Sequence, residues 1–322
     1  MRKKFFLAFI VKYKYLFGPV PSRRLGTSLG VDCIKAKTCN LDCIYCECGA
    51  TTLLTNDRRE YVSASEILIE LRDYLKNGPR LDYITFGGSG EPTLNSAIGG
   101  IVRTIKKEFP AYKTALLTNG TLLSVPEVRE AIMPFDCVLP SMDAVSEKAF
   151  RAVNRPHTDL HLDEILEGLA AFSRQYMGIL LLEVFIVPLI NDTPEEQLLL
   201  KKILERVRPT RVQLNSLDRP GTCGFVEPVS PERLREIATF LLPLPVEIIS
   251  RNAASAAPVA VTGDVPDTLL STIRRRPLTI EEAALRLNAT INDAAALLLR
   301  FVDEGKLLRE EVNGRVFYKS PH

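Results

Sequence analysis

Histidine and net charge are both scarce in this sequence, and each scarcity argues against a class of function. Of the 322 residues, only His157, His161 and His322 are histidines, too few for a metal site built from several imidazole ligands. The formal net charge is +2, so the composition does not predict a strongly basic, nucleic-acid-binding surface. The sequence also lacks internal repeats, low-complexity tracts and coiled-coil heptads.

No apolar run is long enough to cross a bilayer. Residues 5–11 are apolar and follow three basic residues, which imitates the start of a signal peptide. The run is short, is interrupted by Lys12 and Lys14, and has no small-residue cleavage site. We interpret residues 1–14 as an N-terminal extension. We expect a cytoplasmic protein without a membrane partner, because clustered thiols in a chain of this length indicate a reducing compartment.

Most of the seven cysteines lie in one cluster. Cys39, Cys43 and Cys46 have the spacing C-x3-C-x2-C. Three thiolates this close could hold three irons of a 4Fe–4S cluster and leave the fourth iron open, whereas an electron-transfer cluster normally takes four cysteines. The alternative is a structural zinc site, which needs four ligands. Cys33 or Cys48 could supply the fourth ligand, or could bind a second metal.

Short apolar segments alternate with amphipathic helical patterns between residues 28 and 245. The segments lack strict polar–apolar alternation, which is typical of parallel strands buried on both faces. The connections are long enough for βαβ units, and roughly six such units fit. The pattern predicts an α/β fold, and an open sheet and a partial barrel both match it. The candidate strands are residues 29–34, 83–86, 114–117, 137–140, 180–187 and 212–214.

The sequence pattern changes after residue 250. Residues 251–265 are rich in small residues and predict a linker. Three helical patterns and a hairpin with an Asn-Gly turn follow, which predicts a small winged-helix-like domain at residues 266–322. Its candidate recognition helix is mostly apolar, and the basic residues cluster at 274–276. This distribution favours a protein-contact or lid role over DNA binding.

A glycine-rich segment follows the second candidate strand. Residues 87–92 read Gly-Gly-Ser-Gly-Glu-Pro, and no lysine follows as a phosphate-binding P-loop requires. Glycines allow the backbone to approach a ligand closely. Polar residues also follow the next two strands, Asn119 after the third and Ser141 with Asp143 after the fourth. Residues of these types also favour ordinary turns.

The cysteine triplet and the glycine-rich segment together resemble the radical S-adenosylmethionine (SAM) superfamily. The resemblance implies a partial (βα)6 barrel of the TIM type at residues 15–250, with its chemistry at the carboxyl ends of the strands. It implies a 4Fe–4S cluster on the three cysteines, with SAM bound to the open iron. Reductive cleavage of SAM would yield a 5′-deoxyadenosyl radical that abstracts hydrogen, and a flavodoxin- or ferredoxin-type protein would supply the electron.

The same resemblance implies which residues contact SAM. Tyr45 would pack near the adenine, and the glycine-rich segment would meet the methionine end. Arg155 would pair with the SAM carboxylate, for which a planar guanidinium is suited. The expected SAM-binding residues are Tyr45, Gly87, Gly88, Gly90, Glu91, Asn119, Ser141, Asp143 and Arg155.

Residues 18–26 carry a narrower resemblance. Their sequence, Gly-Pro-Val-Pro-Ser-Arg-Arg-Leu-Gly, resembles a signature of radical SAM proteins related to the wyosine-base-forming tRNA enzymes, which implies an RNA base as a candidate substrate. Arg23 and Arg24 could lie at the barrel mouth and bind a substrate phosphate or carboxylate. The alternative is a solvated arginine pair that caps the base of the barrel. The alternative function is an iron–sulfur redox-sensing regulator with a DNA-binding winged helix.

Overall fold

The computed structural model of the protein describes residues 13–249 and 265–321. Almost all of the predicted N-terminal extension and of the predicted linker lies outside the described residues. The strands, in chain order, are β1 (Leu16–Ser22), β2 (Gly26–Val31), β3 (Thr38–Cys39), β4 (Leu53–Leu54), β5 (Tyr83–Phe86), β6 (Lys113–Thr118), β7 (Cys137–Pro140), β8 (Ile179–Phe185), β9 (Arg211–Asn215), β10 (Val246–Ile248), β11 (Leu308–Val312) and β12 (Arg315–Lys319).

Helices connect most of these strands, and hydroxyl side chains cap several of their first turns. Ser146, Thr193 and Ser230 each accept a hydrogen bond from a backbone N–H in the first turn of the helix that follows, which satisfies a donor that the helix itself leaves open. The helices are α1 (Ala64–Leu75), α2 (Ile98–Glu108), α3 (Pro126–Ile132), α4 (Glu147–Asn154), α5 (Leu162–Gln175), α6 (Pro194–Val207), α7 (Pro231–Phe240), α8 (Val265–Ile273), α9 (Ile280–Leu287) and α10 (Ile291–Asp303).

A mostly parallel sheet forms the centre of the described structure, in the order β1-β2-β5-β6-β7-β8-β9-β10. All neighbouring strands from β2 to β10 are parallel, and only β1 runs antiparallel to its partner, β2. The predicted α/β class is therefore confirmed. Because parallel strands end at the same edge, the segments that follow β5, β6 and β7 are brought together there.

All six candidate strands are present, although the first is shifted to Gly26–Val31. The sequence analysis did not predict β1, which contains Pro19 and Pro21. Proline donates no hydrogen bond to a sheet and is confined mainly to edge strands, and β1 is an edge strand here. The short helix α4 and the edge strand β10 were also missed. The described strands leave β1 and β10 unpaired with each other, and the partial barrel stays a prediction.

The last described segment has its own apolar core, separate from the core under the large sheet. Helices α8, α9 and α10 precede the β11–β12 hairpin in the predicted order, and Leu269, Leu298, Phe301 and Tyr318 are buried among them. We call residues 265–321 the C-terminal unit. Its classification as a winged helix stays a prediction. No helix in either described part of the chain is long and apolar enough to cross a membrane.

One buried arginine joins the C-terminal unit to the large sheet. Arg219, which follows β9 and is 2% exposed, donates to both carboxylate oxygens of Glu282 in α9 and to the carbonyl of Pro277. Although burial alone would raise it, the hydrogen bonds and charge of Arg219 lower the pKa of Glu282 from 4.5 to about 2. The stabilisation from this pair is therefore present above pH 4.5 and is lost as the pH falls towards 2.

Replacing Arg219 with Gln should lower the free energy of unfolding by about 2 kcal/mol at neutral pH, because the partly exposed carboxylate of Glu282 would lose its charged hydrogen bonds. Denaturant unfolding followed by circular dichroism measures this change. Arg235→Gln is the control, since its pair with Glu232 is exposed, and it should change the free energy by less than ~0.5 kcal/mol. Equal effects of the two substitutions would contradict the interpretation.

Candidate active site at the cysteine loop

The three clustered cysteines lie on one loop between β2 and α1. We call residues 37–52 the cysteine loop. Its start forms β3, which pairs in parallel with the two-residue strand β4 and places Cys39 opposite Leu54. The three thiols belong to Cys39, Cys43 and Cys46, and none forms a disulfide.

Backbone hydrogen bonds hold the cysteine loop against three other segments. The N–H of Lys37 donates to the carbonyl of Ser89 in the glycine-rich segment (2.8 Å). The N–H of Ile44 donates to the carbonyl of Val153 at the end of α4 (3.0 Å), and the N–H of Cys223, after β9, donates to the carbonyl of Ile44 (2.9 Å). The positions of the thiols are therefore fixed by the backbone of the surrounding fold.

Each thiol has its own nitrogen donor. The amide of Asn119 is 3.6 Å from the sulfur of Cys39, and the amide of Asn154 is 3.4 Å from the sulfur of Cys43. The ammonium of Lys37 is 3.3 Å from the sulfur of Cys46. Hydrogen bonds to thiolate sulfurs are one of the ways in which a protein sets the reduction potential of an iron–sulfur cluster.

The acidity of the thiols differs along the loop. Burial raises the pKa of Cys39 to about 12 and raises that of Cys43 well above its usual value. A hydrogen bond with Cys48, and then the charge of Lys37, lower the pKa of Cys46 to about 6. Cys46 is thus the thiol that ionises most readily near neutral pH.

The donor set fits an iron–sulfur cluster. Three cysteine thiols that form no disulfide lie on one short loop, and cysteine thiolates are the ligands that hold 4Fe–4S clusters. Cys39, Cys43 and Cys46, each with a nitrogen donor beside its sulfur, are the residues that would hold the cluster.

The two other cysteines considered as ligands contact backbone carbonyls. The thiol of Cys33 is buried and lies 3.8 Å from the carbonyl of Pro92. The sulfur of Cys48 lies 3.3 Å from the carbonyl oxygen of Gly88 and 3.0 Å from that of Arg275. A role for either cysteine in a second metal site stays a prediction.

Two glycines allow the glycine-rich segment to approach the cysteine loop. A Cβ atom on Gly90 would lie 2.0 Å from the carbonyl oxygen of Thr38, which no side chain could tolerate. Gly88 has a φ of +149°, and a Cβ there would lie 2.9 Å from the carboxylate carbon of Asp32. Glycine is therefore required at both positions for this backbone path.

Glu91 connects the glycine-rich segment to the end of β6. Its carboxylate is buried and accepts hydrogen bonds from the N–H and hydroxyl of Thr93, the hydroxyl of Thr118 (2.6 Å) and the N–H of Asn119 (2.7 Å). Burial raises the pKa of Glu91, while these hydrogen bonds oppose the shift. The side chain thus positions Asn119, which in turn reaches the sulfur of Cys39.

Tyr45 is held by stacking and by a hydrogen bond. Its ring is parallel to that of Phe185, with the centroids 3.8 Å apart, and its hydroxyl donates to Asp143. The same carboxylate accepts from the amide of Asn154 (2.7 Å) and from the N–H of Phe185 (3.0 Å). Because Asn154 also contacts Cys43, the aromatic pair is connected to the cysteine loop through one polar network.

Some of the predicted cofactor-binding residues line a common cavity of about 330 Å³. Gly87 and Gly88 line it beside Tyr45 and Cys46, and so do residues of the β1–β2 turn and of the C-terminal unit. Its charged lining residues are Arg23, Arg24, Glu47, Glu183, Arg275 and Arg276.

The position expected for Arg23 and Arg24 needs correction. They lie in the turn that precedes β2, whereas Gly87 follows the carboxyl end of β5, the parallel neighbour of β2. The turn is therefore at the opposite end of the sheet from the glycine-rich segment. The side chains nevertheless line the same cavity, which extends along the strands between the two ends.

Other predicted SAM contacts lie apart from this cavity. Asn119, Ser141 and Asp143 line a separate cavity of about 30 Å³, which Tyr45 also borders. Arg155 lines neither of these cavities. It ends α4 with a φ of +44°, and its guanidinium lies 3.9 Å from Asp42. All of these assignments as SAM contacts stay predictions.

Sequence reasoning missed the two best-placed thiol donors. Asn154 contacts Cys43, yet Arg155, the next residue, was singled out. No local signal was available, because Asn154 is the last residue of α4, a helix that was itself missed from the sequence. Lys37 also went unnoticed, although it precedes Cys39 by only two residues.

A model of the radical SAM superfamily matches residues 34–203, which is more than half of the chain and includes the cysteine loop and the glycine-rich segment. The chain belongs to the radical SAM superfamily. Its cofactors are a 4Fe–4S cluster and SAM. The family assignment favours the cluster over the zinc alternative and does not favour the regulator.

Relatives and solved structures agree with this assignment. A UPF0026 protein of Methanocaldococcus jannaschii is 35% identical over 311 residues, which cover 94% of each chain. A Brachyspira hyodysenteriae protein described as GTPase Obg is 33% identical over 313 residues, but these are 96% of this chain and only 45% of that protein. The chain therefore spans less than half the length of that relative.

Two solved structures share the fold. A radical SAM methyltransferase from Sphaerobacter thermophilus superposes with a TM-score of 0.54 at 18% identity, over 70% of this chain and 68% of that one. SuiB of Streptococcus suis bound to a precursor peptide gives a TM-score of 0.52 at 14% identity, over 70% and 49%. At such identities the similarity concerns the fold alone.

The Lys37 ammonium should raise the reduction potential of the cluster, because a positive charge beside a sulfur favours the more negative, reduced state. Lys37→Met should therefore shift the potential negatively. If the Lys37 hydrogen bond stabilises the reduced state by ~1 kcal/mol, its loss lowers the one-electron reduction potential by about 40 mV. A redox titration monitored by electron paramagnetic resonance measures the shift. Lys35→Met, at an exposed lysine two residues earlier, is the control; an equal shift in both variants would refute the assignment.

Gly90→Ala should displace the cysteine loop, because its new methyl group would overlap the carbonyl oxygen of Thr38. We expect most of the bound iron to be lost after anaerobic reconstitution, as measured by iron and sulfide analysis. Gly100→Ala is the matched control, since a Cβ there meets no atom within 4 Å and alanine stabilises a helix by about 1 kcal/mol relative to glycine. Full iron content in both variants would contradict this prediction.

Proposed function

We propose that this protein is an enzyme that cleaves SAM reductively and abstracts hydrogen from an anionic substrate. One observation carries the proposal: the 330 Å³ cavity is lined by the ligand Cys46, by Gly87 and Gly88, and by Arg23 and Arg24. Residues expected to hold the cofactors and residues suited to an anion thus face one space. Family membership supports the first half of the proposal, and the charge of the lining supports the second.

Residues at different positions in the site serve the cluster, SAM and the cavity wall. When bound, the cluster and SAM supply a hydrogen-abstracting radical, and the protein orients the reactants and excludes competing reactions. Cys39, Cys43 and Cys46 hold the cluster, and their nitrogen donors tune it. The glycine-rich segment leaves room for a ligand beside the backbone. The stacked pair of Tyr45 and Phe185 forms an apolar part of the cavity wall.

Arg23 and Arg24 have acidic partners but remain suited to anion binding. Arg24 contacts Glu183, and Arg23 lies 3.5 Å from Asp218. Burial, followed by repulsion from Arg23, lowers the pKa of Arg24 to about 10, so the guanidinium stays charged at neutral pH. Each guanidinium has five N–H donors, which leaves donors for a carboxylate or phosphate.

An RNA base is a second candidate substrate. The segment that resembles the wyosine-related group, residues 18–26, forms β1 and its turn, and it carries the two arginines into the cavity. The phosphate beside a flipped-out base would suit them. The reaction class, the cytoplasmic location and a flavodoxin- or ferredoxin-type electron donor are parts of the same proposal.

Anaerobic reconstitution with iron and sulfide, followed by dithionite and SAM, should yield 5′-deoxyadenosine measured by chromatography. Cys43→Ala should abolish this product, because one cluster ligand is lost. Cys223→Ala should retain it, since that residue contacts the cysteine loop through its backbone. A protein that binds about four irons but forms no 5′-deoxyadenosine would contradict the proposed activity. Repeating the assay with added transfer RNA tests the RNA candidate.

A further inference from the structure

The C-terminal unit forms one wall of the main cavity. Thr272 lies near the end of α8, and Arg275 and Arg276 lie in the turn that follows; all three line the cavity. The turn before β2 supplies two further positively charged lining residues, Arg23 and Arg24. The cavity is therefore built from two parts of the chain that are more than two hundred residues apart in sequence.

Arg275 fixes this wall against both loops of the site. Its guanidinium donates to the buried carboxylate of Asp32 (2.8 Å), which also accepts from the hydroxyl of Ser89 in the glycine-rich segment. Its carbonyl accepts from the thiol of Cys48 in the cysteine loop (3.0 Å). Since Arg219 also holds Glu282 of the same unit, the wall is attached at several points.

Arg276 has the weakest acidic partner of the lining arginines. It lies 3.8 Å from Glu282, which is longer than a hydrogen bond, and that carboxylate already accepts two hydrogen bonds from Arg219. Burial, and then repulsion from Arg219, lower the pKa of Arg276, while attraction to Glu47 and Glu282 opposes the shift. A bound anion would compensate this positive charge.

The charges that line the cavity are unequal. Four arginines and two carboxylates, Glu47 and Glu183, line the cavity. Arg24 contacts Glu183, whereas Arg23 and Arg275 have partners outside the lining, Asp218 and Asp32. Arg23, Arg24 and Arg276 line the same cavity, together with the carboxylate of Glu47. Guanidinium groups from different segments around one space are suited to a carboxylate or phosphate, because each can donate two parallel hydrogen bonds.

We propose that Arg23, Arg24 and Arg276 form one anion site for a small substrate that carries a carboxylate or phosphate group. The C-terminal unit is thereby part of the substrate site. The inference rests on the proposed function for the statement that the ligand is the substrate. Anion binding can be measured without turnover, so the anion-site proposal and the proposed radical activity can be tested separately.

The test is calorimetric titration of the reconstituted holoprotein with two probes, inorganic phosphate and succinate, at low ionic strength. One saturable site is expected for at least one probe, and the stronger probe identifies the anionic group. Arg276→Gln should weaken binding roughly tenfold, because a hydrogen bond between charged groups is lost. Arg274→Gln removes the same charge from an exposed neighbour and should leave the affinity unchanged.

Arg23→Gln, in the other part of the chain, should weaken binding of the same probe by a similar factor. Circular dichroism and iron content confirm that each variant is folded and loaded. Affinities that are equal in Arg276→Gln and Arg274→Gln would overturn the proposal, and so would the absence of saturable binding of either probe.

SAM itself carries a carboxylate, so its affinity must be measured for the same variants. Unchanged SAM binding in Arg276→Gln supports a site for the substrate. A tenfold weaker affinity for SAM would assign the arginines to the cofactor and overturn the proposal. Anion binding without 5′-deoxyadenosine formation would instead count against the proposed radical activity alone.

Discussion

The site depends on how closely two stretches of backbone approach each other. The glycine-rich segment passes so near the cysteine loop that Gly90 has no room for a side chain beside Thr38. This contact sets the position of the loop that carries the thiols. It also brings Glu91 to the end of β6, where its carboxylate orients Asn119 towards Cys39. Backbone proximity therefore determines both where the three thiols lie and which nitrogen donors reach them.

Buried charge is the second constraint on the molecule. Burying an ion is costly unless a partner compensates it, and Arg219 and the cavity-lining Arg276 meet this condition to different degrees. Arg219 has a bidentate partner and serves to attach the C-terminal unit. Arg276 has only a distant contact with the same carboxylate. The difference separates an arginine that stabilises the fold from one that is suited to a ligand.

Local sequence patterns were sufficient to predict the central strands and the loop that carries the three cysteines. Buried parallel strands are short and apolar, and cysteine ligands on one loop have a readable spacing, so both could be predicted. Strand β1 could not, because prolines are tolerated only where the tertiary structure makes an edge. The contact of Asn154 with Cys43 spans 111 residues and that of Arg219 with Glu282 spans 63. Contacts of that range leave no local signal.

The hydrogen bonds of Asp32 have a thermodynamic consequence. One oxygen of this carboxylate, Oδ2, accepts hydrogen bonds from both Arg275 of the C-terminal unit and Ser89 of the glycine-rich segment. A shift of the cavity wall is therefore transmitted to the loop expected to hold the methionine end of SAM. Coupling between two binding sites is reciprocal. If occupation of one site moves this carboxylate, the affinity of the other changes by the same factor in both directions, and cofactor and substrate regulate each other's binding.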